Sequence, residues 1–391
     1  MNFIKQSFYV VAAICFTLAC ACAHSFDVAA TPAPQEKSPG FTAQDAKNII
    51  AESRKIVSPN GIDSTVAVPI NGIKQILSIR GNDNRNPILL FLHGGPASPD
   101  LPLAYTFQRP WEDYFTVVQW DQRGTGKTYA ANDPDKVAPT LTIEQMTDDA
   151  EQVVRYLQST YHKRKIFLLG HSWGTVLGVR LAQRHPEWFY AYIGVGQVVN
   201  VRQNEALGYQ FAMQQAREHQ NTQAQKELAS IAPYPGDGDI ELKKIGLQRQ
   251  WLSYYGGLAY GRTSYAFDSH AEELSPDYSE QDLDAIGPGS LQTLNHLLRP
   301  LSALDLSSIH RFECPIFLFL GRHDYAVSHE LAAQWFTTLQ APSKRLVWFA
   351  DSAHMIMQEQ PGRFLLHLVN DVRPIAVQAN DAAPDDVVSD H

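Results

Sequence analysis

One serine sits between two glycines, in Gly170-His171-Ser172-Trp173-Gly174. The G-x-S-x-G spacing serves a nucleophile on a sharp strand-to-helix turn. Small residues two before and two after let strand and helix close around it, and the hydroxyl stays exposed. The flanks fit: 166–169 is an apolar run of strand type, and 173–184 carries a helical pattern. A serine hydroxyl is a weak nucleophile until a base takes its proton, and the base needs a group to orient it. Downstream, Asp324 in Gly321-Arg322-His323-Asp324 follows the apolar run 316–320. His354 in Ser352-Ala353-His354 follows the run 345–349. The order Ser, acid, His is one in which such groups occur along a chain. Ser172 is therefore expected as nucleophile, His354 as general base and Asp324 as its orienting acid. Asp351, beside His354, is the alternative acid. His323 and His329 lie too near the acid, and His367 falls in a helical pattern. Further upstream, His93-Gly94-Gly95-Pro96 follows the apolar run 88–92. Two glycines let the backbone turn so that an N–H of Gly95, with that of Trp173, faces a developing oxyanion. A plain Gly-Pro turn is the alternative.

These groups need a scaffold that gathers strand ends. Runs at 88–92, 115–120, 166–169, 190–195, 316–320 and 345–349 alternate with amphipathic segments, which predicts a mostly parallel sheet covered by helices on both faces. Asn71-Gly72 between 65–69 and 74–80 predicts a hairpin that adds an antiparallel edge. Thr142 with Gln145 marks a helix start. The rhythm breaks over 199–308, where helical patches show near 205–218 and 291–298. A segment of that length between two sheet strands predicts a mostly helical cap over the strand ends. The core then comprises 41–198 and 309–375. Gly124-Thr125-Gly126-Lys127-Thr128 ends like a phosphate-binding loop. Asp121 stands where that motif needs glycine, and Pro134 and Pro139 argue against a following helix. Asp121 and Arg123 are expected instead to fix the turn beneath the site by ion pairing and hydrogen bonds.

The chain has 391 residues, 44% hydrophobic and 19% charged, with a net charge of −9. It can bury a large core, and an acidic surface without a Lys/Arg-rich run excludes nucleic-acid binding as a primary role. Lys5 precedes an uncharged apolar stretch at 8–23, and Ala21-Cys22-Ala23 fits a cleavage site, so 1–23 reads as a signal peptide. Leu18-Ala19-Cys20 offers a lipoprotein signal as the alternative, with membrane anchoring only if Cys20 is lipidated. An uncleaved apolar helix is the third reading. The protein is thus expected to be exported, periplasmic or secreted. Residues 24–40 read as a linker and 376–391 as a flexible acidic tail. Beyond the export segment only Cys314 remains, which rules out an internal disulfide and reads as a buried small residue. No His/Cys cluster calls for a metal, and no cofactor is expected.

The motifs together resemble the prolyl aminopeptidase (proline iminopeptidase) family of α/β-hydrolases, peptidase family S33. His93-Gly94-Gly95-Pro96-Ala97 is similar to that family's HGGPG, Asp121-Gln122-Arg123-Gly124-Thr125-Gly126 to its DQRGSG, and Gly170-His171-Ser172-Trp173-Gly174 to its GGSWG. Ala97 and His171 replace family glycines. The resemblance implies an α/β-hydrolase fold with a cap that shapes the pocket, and cap carboxylates that hold the substrate's free amino group. Glu205, Glu218, Glu272 and Glu273 are the candidates, with Glu205, Glu272 and Glu273 expected to bind substrate. It implies an aminopeptidase acting on short peptides through an acyl-enzyme. An esterase or amidase on other small acyl substrates is the alternative.

Overall fold

A computed structural model describes residues 40–384. The signal-type segment, almost all of the linker and the tail beyond 384 lie outside them.

Eight strands form one sheet: β1 (Ile62–Ile70), β2 (Ile73–Gly81), β3 (Ile88–Leu92), β4 (Thr116–Asp121), β5 (Ile166–His171), β6 (Phe189–Val195), β7 (Ile316–Gly321) and β8 (Lys344–Phe349). Their spatial order is β1-β2-β4-β3-β5-β6-β7-β8. β1 and β2 pair antiparallel through a two-residue turn with Ile70 opposite Ile73. Asn71 and Gly72 both take positive φ there, 45° and 84°. That left-handed pair matches the twist of the two strands. β2 pairs antiparallel with β4, and every pairing from β4 to β8 is parallel. The order reverses at β3, which has β4 on one side and β5 on the other. The strand ends splay apart at such a reversal, and an open α/β sheet forms its ligand crevice there.

The two faces of the sheet bury separate cores. Leu90 and Leu92 face one core with Val118, Leu168 and Leu318; it is closed by the helices Ile143–Tyr161, Trp173–Arg184 and His329–Thr338. Leu89 and Phe91 face the other, with Trp111, Phe115, Phe167 and Phe364. Because both faces are covered, β3 is apolar at every position rather than at alternate ones. Each such side chain contributes roughly 1.5–3 kcal/mol by leaving water. Trp111 stacks on Phe364 with ring centroids 5.0 Å apart, which fastens the C-terminal helix Pro361–His367 to the loop after β3.

Two local features differ from the sequence expectation. Residues from 376 are held, not loose, as far as Asp381. Ala376 is fully buried, and Tyr190 donates its hydroxyl to the Asp381 carboxylate at 3.0 Å. The short helix Gly126–Ala130 does follow Gly124-Thr125. Its N-terminus is filled by the chain's own carboxylate, since Lys127 N donates to Asp121 Oδ2 at 2.8 Å. Asp121 and Arg123 do fix their turn by ion pairing and hydrogen bonds, each through its own partner. Arg123 makes a buried two-point contact with Asp149, at 2.7 and 3.0 Å, while Asp121 accepts from the Tyr278 hydroxyl.

Between β6 and β7 the chain forms five α-helices: Val201–Glu218, Thr222–Ser230, Leu242–Tyr254, Ala266–Glu273 and Glu280–Ser302. The last runs for 23 residues through Pro288 and Pro300. Ser279 and Asp282 close a capping box at its start. Gly289 lets it approach the core, since a Cβ there would lie 2.6 Å from the Gly124 carbonyl. The inserted segment is fastened to the core by Lys127–Asp282 at 2.8 Å, Arg54–Asp277 at 2.5 Å and the Tyr278–Asp121 hydrogen bond.

Candidate active site

β5 ends at His171, and Ser172 takes φ +54°, ψ −120°, before the helix Trp173–Arg184 begins. This is the left-handed region that a residue with a Cβ rarely adopts. The turn is over-determined from outside. Ser172 N donates to Val195 O at 2.9 Å, and Ser172 O accepts from Thr175 N at 2.9 Å and from its hydroxyl at 2.6 Å. A Cβ on Gly170 would lie 2.6 Å from Gly174 O, and one on Gly174 would lie 1.9 Å from Leu92 O. The two flanking glycines are thus a steric condition for β3, β5 and the helix to meet. Trp173 is the first helical residue, so its N–H has no acceptor within the helix.

Asp324 and His354 meet beside the ends of β7 and β8. His354 Nδ1 lies 2.8 Å from Asp324 Oδ2, with both side chains buried. Asp324 Oδ1 accepts from Val327 N at 2.8 Å, which fixes the carboxylate plane. With Nδ1 engaged by Asp324, the far ring nitrogen of His354 is the one that could take a proton. Asp351 is exposed, and it makes no pair with His354. His367 pairs with Asp371 on its own helix at 2.7 Å. Ser172 and His354 line one cavity of about 530 Å³, together with Gly95 and Trp173.

The inserted segment takes part in holding these loops. Gly257 O accepts from Tyr325 N at 3.0 Å and Ala326 N at 3.1 Å, just beyond Asp324. Leu258 O accepts from His354 N at 2.9 Å. Glu359 gathers Ala353 N, at 3.0 Å, and Tyr260 N on one carboxylate. Burial raises Glu359 to about 7, against the effect of those two N–H donors.

The loop after β3 is set by its own network. Gln122 N donates to His93 Nε2 at 3.2 Å, so the ring's proton sits on Nδ1, which donates to Gly94 O at 2.9 Å. Burial lowers the His93 pKa to about 4, which keeps the ring neutral. The Gln122 amide also donates to His93 O at 3.1 Å and accepts from Trp173 Nε1 at 2.9 Å. Gln122 thus couples the loop carrying Gly95 to the helix carrying Trp173, a role the sequence pattern did not single out. Gly95 has φ +109°, and a Cβ there would lie 2.6 Å from Ala97 N and Ser98 N.

The three expected substrate carboxylates divide. Glu205 lines the cavity, but Arg249 and the Tyr234 hydroxyl already occupy its oxygens. Glu273 is exposed and is not part of the cavity wall. Glu272 lines the cavity, and burial, with the charges of Asp268 and Asp100, raises its pKa to about 7. Asp100 and Asp268, which sequence reasoning missed, line it as well. Asp268 Oδ1 and Asp100 Oδ2 are buried without a hydrogen-bond partner in the protein. The nearest cation to Asp268 is Arg262, at 3.8 Å. The cavity wall around Asp268 and Glu272 is therefore acidic, with the Arg262 guanidinium offsetting it only in part. An ammonium group placed there would pair with charges that are costly to leave alone.

Known proteins bear on what this site is. The family model described as serine aminopeptidase, S33, matches residues 104–361. The probable aminopeptidase YbaC of Bacillus subtilis (strain 168) is 31% identical over 304 residues, 75% of this chain and 92% of that protein. The chain belongs to the S33 serine aminopeptidase family. A proline iminopeptidase of Neisseria gonorrhoeae is 36% identical over 107 residues, a match that spans 27% of this chain and 31% of that protein. The S33 fold is matched along its length by the crystal structure of a Mycobacterium smegmatis proline iminopeptidase, with a TM-score of 0.60 at 17% identity, covering 81% of this chain and all of that one. The S33 chain is accordingly an enzyme, a serine hydrolase of α/β-hydrolase fold.

Proposed function

We propose that this hydrolase is an exported aminopeptidase that releases N-terminal residues from short peptides through an acyl-enzyme on Ser172. The observation that carries the reading is the pair of acids Asp268 and Glu272 on the wall of the cavity that holds Ser172, with Asp268 Oδ1 buried and without a hydrogen bond. A substrate with a free amino group next to its scissile bond would pair with such a wall. Membership of the S33 family agrees with it.

In this mechanism the Ser172 hydroxyl attacks the scissile carbonyl carbon, and its proton passes to His354. Asp324 holds the imidazole in the tautomer that accepts it and stabilises the positive ring. The carbonyl oxygen becomes an oxyanion facing the Gly95 and Trp173 N–H groups. Collapse breaks the C–N bond, and His354 returns its proton to the departing amine. Water then repeats the sequence on the acyl-enzyme and frees the N-terminal residue. The apolar segment at 8–23 with its small-residue cleavage site supports export.

The test is turnover of aminoacyl arylamides, prolyl and others, beside the same compounds N-acetylated and beside short-chain nitrophenyl esters. Free-amine arylamides should be cleaved and the acetylated ones refused. Ser172→Ala should lower kcat by about 10⁴-fold or more. Ester turnover without cleavage of any arylamide would replace this reading with an esterase.

A further inference from the structure

His171, the residue before the nucleophile, lies between two acceptors. Its Nε2 is 3.1 Å from the backbone carbonyl of His354. Its Nδ1 is 3.6 Å from Asp100 Oδ2. A neutral imidazole has one N–H and one lone pair. If Nε2–H serves the carbonyl, the Nδ1 lone pair faces a carboxylate, and both are buried with no other partner. If the proton moves to Nδ1, the lone pair of Nε2 faces the carbonyl oxygen. Two protons on the ring resolve both contacts at once.

We propose that His171 is a positioning residue working as an imidazolium, which ties the His354 loop to Asp100 in the loop after β3 and so holds the general base over Ser172. The proposal rests on Ser172 and His354 being nucleophile and base, but not on the substrate. The two rings lie close, with centroids 4.7 Å apart at 36°. Burial alone would lower the His171 pKa. The Asp100 contact and charge, the His354 carbonyl and the Asp324 charge outweigh it and leave the pKa raised. The groups facing the ring are Asp100 from the β3 loop, His354 from the β8 loop, Asp324 from the β7 loop and His93, which is neutral. From the inserted segment, Asp268 and Glu272 each feel the charge of Asp100. Folding favours the protonated ring, so this stabilisation is complete below the ordinary histidine range and is lost as pH rises through the raised value.

The experiment follows the rate of Ser172 labelling by a fluorophosphonate against pH, in the wild type and in His171→Gln, Asp100→Asn and Ser172→Ala. The probe has no amino group, so failure of the aminopeptidase reading leaves the measurement intact. Absence of labelling in the wild type would instead show that Ser172 is not the nucleophile, and would overturn both. Glutamine can donate to the His354 carbonyl but cannot be charged. The wild type should label about tenfold faster than His171→Gln at pH 6–7, as for one lost charge-assisted hydrogen bond. That ratio should shrink toward one at high pH, because base titration is common to both proteins. Asp100→Asn removes the need for the second proton, so its alkaline limb should move to lower pH. A ratio constant across the pH range would overturn the proposal, since a merely structural residue gives that result. Should His171→Gln fail to fold, ¹⁵N NMR of the wild-type ring decides. Two N–H groups at neutral pH support the imidazolium, and a single N–H refutes it.

Discussion

Gly174→Ala tests whether the close meeting of β3, β5 and the nucleophile helix sets the rate. A Cβ on Gly174 would lie 1.9 Å from Leu92 O, 2.6 Å from Leu92 C and 2.9 Å from His93 O. All three are backbone atoms, so no flexible side chain can swing aside. Gly174 sits in a helix at ordinary φ, so alanine is not strained by its own backbone and the effect is steric alone. Restoring a tolerable contact requires helix and strand to part by about 1 Å, and overpacking of this kind costs about 1–3 kcal/mol. The displacement matters more for rate than for stability. β3 leads directly into the loop with Gly95, and the helix begins at Trp173, so the two proposed oxyanion donors are pushed apart. A misplacement of about 1 Å costs about 10²-fold in rate. The assay is fluorophosphonate labelling and arylamide kcat/KM, with Tm measured alongside. Gly246→Ala is the control: it lies exposed in the helix Leu242–Tyr254 with nothing within 4 Å of the added methyl. It should leave the rate unchanged and raise stability by about 0.5–1 kcal/mol. If Gly174→Ala labels at the wild-type rate, the steric account of the G-x-S-x-G spacing in this chain is wrong.

Two other outcomes follow from the buried acids. Glu272→Gln should raise KM for free-amine arylamides about tenfold, as for one lost charged hydrogen bond, and leave fluorophosphonate labelling unchanged. In the wild type that KM should fall as pH rises through about 7, where Glu272 ionises, and rise again as the substrate's amino group loses its proton near about 8; a flat profile would remove Glu272 from amine binding. Asp121, raised to about 7 by burial, favours its neutral form in the fold. Its stabilisation is present below the unfolded carboxylate range and is lost as pH climbs to about 7. The Tm of Asp121→Asn relative to the wild type should therefore increase between pH 4 and 7 and level off above, and a difference independent of pH would refute the shift.

Ser172, Asp324 and His354 were legible because each sits at the end of an apolar run, and strand ends are local signals. The Asn71-Gly72 hairpin was legible for the same reason. The inserted segment was harder. Gly287-Pro288-Gly289 reads as a helix breaker, yet the helix Glu280–Ser302 runs through it because a capping box starts it and Gly289 packs on Gly124. Among the cap acids, nothing near Glu205 in the chain reveals that Arg249, 44 residues away, neutralises it. Asp268 and Asp100 carry no motif. Their significance comes from where the fold puts them, on the cavity wall beside one another's charge. Gln122 was visible inside Asp121-Gln122-Arg123, but its two-sided bridge between His93 and Trp173 depends on the exchange of β3 and β4.

The carbonyls of Gly257 and Leu258 belong to the insertion, yet they hold the segments that present Asp324 and His354. A graft that exchanged the whole insertion for that of a relative, in order to retarget the enzyme, would also remove two struts from its machinery. Selectivity and turnover are therefore wired through one stretch of polypeptide. Engineering that respects this wiring would keep 257–260 native and vary the wall around Asp268 and Glu272 instead.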